Sequence, residues 1–116
     1  MTTGFKEKNE MGHRLIRTIS VEMSTANTDT LLYTVPTGNT LIAFRKKIEN
    51  SAGDAEVVFK EEIVSGNRQA CAVVNGEDIV KERYEDGTSI YVNATSACTA
   101  IIEGILFDAN MAPMTE

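Results

Sequence analysis

The sequence predicts an all-β domain, an antiparallel β-sandwich of the jelly-roll or immunoglobulin-like kind, carrying an extended N-terminal arm. Three observations lead there. Apolar and polar residues alternate with a period of two in one segment after another. Turn residues recur at roughly ten-residue intervals from Pro36 to Ser96, the spacing of a sandwich rather than of strands separated by helices. No window sustains the apolar stripe, repeating about every 3.6 residues, that an amphipathic helix requires.

Residues 1–12 are polar, with Gly4 and Gly12 and no periodicity beyond Phe5 and Met11, and form the arm. The sandwich spans 13–110, and 111–116 is a C-terminal tail. Its first strand places Leu15, Arg17, Ile19, Val21 and Met23 on one face and Ile16, Thr18, Ser20 and Glu22 on the other. Leu31 to Val35 is a strand that runs into Pro36-Thr37-Gly38-Asn39, where proline presets the turn and glycine relieves its exit. Thr40 to Asn50 is a long strand with a basic outer end, placing Ile42, Phe44, Lys46 and Ile48 opposite Leu41, Ala43, Arg45 and Lys47. Val57 to Ile63 alternates next and stops at Ser65-Gly66-Asn67. Asn75-Gly76 suits a type I′ hairpin between Ala70–Val74 and Asp78–Val80, because both turn positions tolerate positive φ. Asp86-Gly87 repeats the device before the strand Ser89 to Ala94. Ala97 to Phe107 closes the domain.

A chain of 116 residues is sized for one core. Its net charge of -6 disfavours direct contact with nucleic acid, which needs a basic footprint to displace counterions. The charge is uneven: Lys6, Lys8, Arg14 and Arg17 against Glu7 and Glu10 leave residues 1–17 at +2 and the rest of the chain at -8. Opposite potentials at two ends of one molecule favour head-to-tail contact between copies. No stretch approaches the roughly 18 to 20 apolar residues of a membrane helix, and the N-terminus lacks the apolar centre of a signal peptide, so synthesis in the cytosol is expected without a membrane partner. Asn93-Ala94-Thr95 matches a glycosylation sequon but reads more simply as a turn.

The residues offer no converging chemistry. His13 is the single histidine and lies far in sequence from any activated nucleophile, and each glycine of the body is isolated in its own turn. No enzyme activity, metal or cofactor is expected. Glu82, Glu85 and Asp86, with Glu77 and Asp78, form an acidic edge that discourages stray strand pairing and offers a socket for a neighbour's basic arm. Phe5, an aromatic with no core of its own, is a candidate anchor in that neighbour, beside Lys6, Lys8, Arg14 and Arg17. Cys71 and Cys98 lie in apolar strands, as two buried free thiols or as a disulfide within or between chains. A carbohydrate-binding or adhesion module is the alternative reading of the fold, with the lack of tryptophan against it.

The segment Leu31-Leu32-Tyr33-Thr34-Val35-Pro36-Thr37-Gly38-Asn39-Thr40-Leu41-Ile42 resembles the opening of many small β-sandwich accessory proteins of tailed bacteriophages. The Ile48-Glu49-Asn50-Ser51-Ala52-Gly53 turn, the Glu85-Asp86-Gly87-Thr88-Ser89-Ile90-Tyr91-Val92 stretch and the closing Ala100 to Phe107 strand follow in the same order. Together the pieces cover residues 31–108. The resemblance implies a virion structural protein of the head-decoration, neck-collar or tail-associated type, made in the host cytoplasm and contacting copies of itself and other virion proteins. The additional N-terminal strand and arm, and the two cysteines, depart from that pattern.

Overall fold

In a computed structural model of the protein, residues 15–51 and 54–115 are described. They form eight strands and, among the described residues, no helix: β1 (Ile16–Met23), β2 (Thr30–Thr34), β3 (Thr40–Glu49), β4 (Val57–Val64), β5 (Asn67–Val74), β6 (Glu77–Tyr84), β7 (Ser89–Ala94) and β8 (Cys98–Phe107). One sheet has the order β1-β8-β3-β6 and the other β2-β7-β4-β5. Every neighbouring pair is antiparallel. Eight strands crossing between two sheets in this order make a jelly roll, which decides between the two sandwich types that the sequence allows.

The alternation of the sequence becomes the interface between the sheets. Leu41, Val57, Phe59, Val74, Ile90, Val92 and Ile102 are all fully buried between them. Burying one such side chain contributes about 1.5–3 kcal/mol relative to leaving it in water. On β1 the residues Ile19, Val21 and Met23 face inward as the alternation predicts, with Met23 opposite Cys98 and Ile19 opposite Ile102.

Two expected hairpins are corrected. Asn75-Gly76 and Asp86-Gly87 each carry the chain from one sheet to the other, from β5 to β6 and from β6 to β7. A type I′ turn needs positive φ at both central residues, and here only the glycines have it, Gly76 at 108° and Gly87 at 79°. Their backbones bond across the sandwich ends instead: Ile48 N donates to Gly76 O (2.8 Å) and Gly87 N to Val35 O (2.9 Å). The hairpin that does form joins β4 to β5 through Ser65-Gly66, with Gly66 at φ 83° and its N–H held by Glu62. Asn93 is not in a turn either; it lies within β7.

A second correction concerns β3. Against β8, Phe44 is an extra residue between Ala43 and Arg45, and the register against β6 shifts at the same place, where β6 carries the surplus residue. One inserted residue exchanges the faces of everything beyond it. Leu41 and Ala43 therefore face the core before the bulge, while Lys46 and Ile48 face it after. Lys46 is fully buried rather than part of a basic outer end. Gly104, opposite Ala43, makes room for the bulge, since a Cβ there would lie 2.5 Å from Ile42 O.

The stretch beyond 110, which the sequence marks as a tail, turns back on β8. Asp108 Oδ1 accepts from Asn110 N and Ala112 N, Pro113 bridges Phe107, and Met114 packs against the core.

Candidate interaction surface

A sandwich has four edge strands, and each leaves one row of backbone N–H and C=O groups outside the sheet. Here they are β1 and β6 in one sheet and β2 and β5 in the other. The large exposed apolar residues follow that geometry. Ile16 is on β1, Leu31 on β2, Val73 on β5 and Ile79 on β6, with Ile79 72% exposed. Ile63 and Val64, 71% and 65% exposed, stand at the tip of the β4–β5 hairpin, where Asn67, Arg68, Gln69 and Ala70 are exposed too. Among the described residues, the central strands β3, β7 and β8 carry none of this class, and the fourth central strand, β4, carries Ile63 and Val64 only at its end, beyond its pairing with β7. Apolar side chains collected on open edges are the composition of a contact surface.

The charged candidates divide. Phe5, Lys6, Lys8 and Arg14 lie outside the described residues. Arg17 is not a free arm cation: it shares the core-facing row of β1 and donates through Nη2 to Thr115 O at 3.2 Å. Glu82, expected at a solvated acidic edge, points inward and pairs with Lys46, because β6 turns its even-numbered residues 82 and 84 toward the core. Glu85 and Asp86 are at the surface, Glu85 beside Arg83 at 2.5 Å and Asp86 accepting from Gly38 N at 3.1 Å.

The two cysteines are free thiols in different surroundings. Cys98 is buried at the start of β8, where it lines a shallow depression with Met23, Ser24 and Asn50, and burial pushes its thiol pKa up. Cys71 is the extra residue of a bulge on β5 and is half-buried. It lies 3.8 Å from Lys46 Nζ and 3.6 Å from Tyr84 Oη. Tyr84 Oη in turn donates to Glu82 Oε1 at 2.5 Å, and Lys46 Nζ sits over the rings of Phe59 (4.9 Å) and Tyr84 (5.5 Å). Burial and the hydrogen bond to Glu82 raise the Tyr84 pKa far above its ordinary value. The ammonium thus has a carboxylate and two ring faces in place of water, the compensation that a buried charge requires.

A third group covers the outer face of the β2-β7-β4-β5 sheet. Asp29, just before β2, accepts from Lys60 (2.9 Å), Asn93 (2.8 Å) and Arg68 (3.1 Å). The Asn93 and Lys60 hydrogen bonds, in that order, hold its carboxyl at about 2, below the ordinary 3.8. Arg68 also lies 3.7 Å from the centre of the Tyr91 ring, so the face of that aromatic is already covered.

This sandwich has counterparts among solved structures. It aligns with a protein from "Bacillus endospore appendages form a novel family of disulfide-linked pili" at a TM-score of 0.52 and 14% identity, over 78% of this chain and 83% of that one. A pentameric capsid protein isolated from metagenomic phage sequences aligns at 0.46 and 11% identity, over 84% and 69% of the two chains. The first likeness establishes a shared fold. No protein-family model and no curated protein matches the chain.

Sequence reasoning missed the Lys46 cluster and the Asp29 network. Lys46 is hidden by the bulge, which puts a lysine at a core position of its strand. Asp29 sits in a polar connector, and nothing in the spacing of Lys60, Arg68 and Asn93 shows that three strands bring them to it. The one local signal was Gly104 inside the mostly apolar final strand, since glycine inside a strand marks a bulge or a close backbone approach.

Proposed function

We propose that the chain is a non-catalytic structural subunit that associates edge to edge with copies of itself, as an accessory protein of a tailed-phage virion. The observation that carries the association is the concentration of exposed apolar residues on the edge strands β1, β2, β5 and β6 and on the end of β4 at the β4–β5 tip, with the central strands β3, β7 and β8 left out. The ordered resemblance of residues 31–108 to phage sandwich proteins supplies the setting. A fold shared with a pilus protein is in keeping with an assembled role.

In this reading the arm, residues 1–12, reaches a neighbouring copy with Phe5 as its anchor, and Lys6 and Lys8 of the arm, with Arg14 just beyond it, face the surface carboxylates Glu85 and Asp86. Opposite charges orient the encounter and buried apolar contacts hold it. The protein is made in the host cytoplasm and ends on the particle at the head, neck or tail. Antibodies against the full chain, applied as a gold label to purified virions, test the setting. Label at a repeated position on the particle is expected; unlabelled particles that carry every other structural protein would overturn it.

A further inference from the structure

The cluster at the β5–β6 side brings a thiol and an amine, Cys71 Sγ and Lys46 Nζ, to 3.8 Å from each other. Cys71 belongs to β5 and Lys46 to β3, so the pair spans the two sheets. Cys71 is a half-buried residue at a bulge on the edge strand β5, whereas Lys46 is fully buried and shielded from competing solutes. Glu82 touches the amine and Tyr84 Oη touches both Glu82 and the thiol.

We propose that Lys46 and Cys71 are the site of an oxidative modification, in which a single oxygen atom joins Lys46 Nζ to Cys71 Sγ and locks one sheet to the other. The oxidant is dioxygen. The S–H bond, one N–H bond and the O–O bond break; an S–O and an N–O bond form, and the second oxygen leaves as water with the two hydrogens. Sulfur and nitrogen each give up two electrons, and the four reduce dioxygen. Glu82 is placed to take the surplus proton of the ammonium, which frees the nitrogen lone pair, and Tyr84 holds that carboxylate in position. A reducing compartment keeps the site open, and the link forms once the protein meets oxygen. Reversal takes four electrons, two returning sulfur from the sulfenic level to the thiol and two returning nitrogen to the amine, so two equivalents of dithiothreitol are consumed and the bridge oxygen leaves as water.

Intact-mass measurement of the full chain, purified under reductant and then held in air, tests this. One oxygen gained and two hydrogens lost give an increase of about 14 Da, with one titratable thiol gone and both changes undone by dithiothreitol. Lys46→Arg and Cys71→Ser abolish the increase, while Cys98→Ser, which keeps the pair, retains it; peptide mapping of the Cys98→Ser protein locates the linked Lys46 and Cys71 peptides. Oxygenated wild-type protein in which Cys71 alkylates completely overturns the proposal. So does a change that reductant leaves in place, or one that maps to Cys98 or to a disulfide.

Discussion

Gly104 sits where the bulge of β3 brings the backbone of Ile42 and Ala43 against β8, and the closeness of Ile42 O leaves no room for a side chain. Because the obstructing atoms are backbone, they cannot rotate aside as a side-chain tip would. Gly104→Ala should therefore destabilise the domain by about 1–3 kcal/mol, read as a lower urea midpoint. Lys46 makes a second test at this scale. Truncation by Lys46→Ala strands Glu82 beside a cavity and should cost about 3 kcal/mol or more, whereas Lys46→Met combined with Glu82→Gln should cost clearly less, because no unpaired charge remains. Equal losses in the two proteins would mean that the packing of the lysine stem, not its charge, holds the site. Asp29 reports through pH. Its carboxyl is held at about 2 in the folded chain against 3.8 ordinarily, so its contribution is complete above 3.8 and fades as the pH falls toward 2. Asp29→Asn should lower stability by about 1 kcal/mol at neutral pH, the pairs being near the surface, and should flatten the fall of the urea midpoint over that acid range.

At the scale of elements, strands were legible wherever local alternation alone decides the answer. Ser89 to Ala94 reads as a strand because Ile90, Val92 and Ala94 alternate with polar or amphipathic neighbours, and those three residues are the fully buried ones. The first strand is legible for the same reason. What alternation cannot carry is an inserted residue: Phe44 suits either face, so nothing next to it announces that the phase changes there. Connections were less legible than strands. Asn75-Gly76 and Asp86-Gly87 mark tight turns correctly, yet whether a turn folds a strand onto its neighbour or onto the opposite sheet depends on partners far away in sequence. The candidate site suffered most, since Glu82 belongs to an acidic run in sequence and to a buried pair in space. The edge strands yield their own test. Ile79→Lys places a charge on the solvent side of β6, where the residue is 72% exposed, and should leave the unfolding midpoint within about 0.5 kcal/mol of wild type while weakening self-association. Light scattering across a concentration series reads the second effect.

For the whole molecule, the strand order of the jelly roll leaves unpaired backbone on β1, β2, β5 and β6, and exposed apolar side chains stand on those strands and on the end of β4. The core between the sheets needs none of those residues, so on the proposed reading folding and association rest on separate parts of the sequence. On the proposed reading residues 1–12 serve assembly and not the fold: their deletion should preserve the circular dichroism spectrum and reduce the affinity between copies. The account stands most directly on the mass of the assembled protein in solution. Sedimentation equilibrium of the full chain beside an Ile63→Asp/Ile79→Asp variant is the measurement. The account predicts a wild-type oligomer that becomes a folded monomer in the variant. A wild-type chain that stays monomeric at every concentration, or a variant that assembles as tightly as wild type, would contradict it.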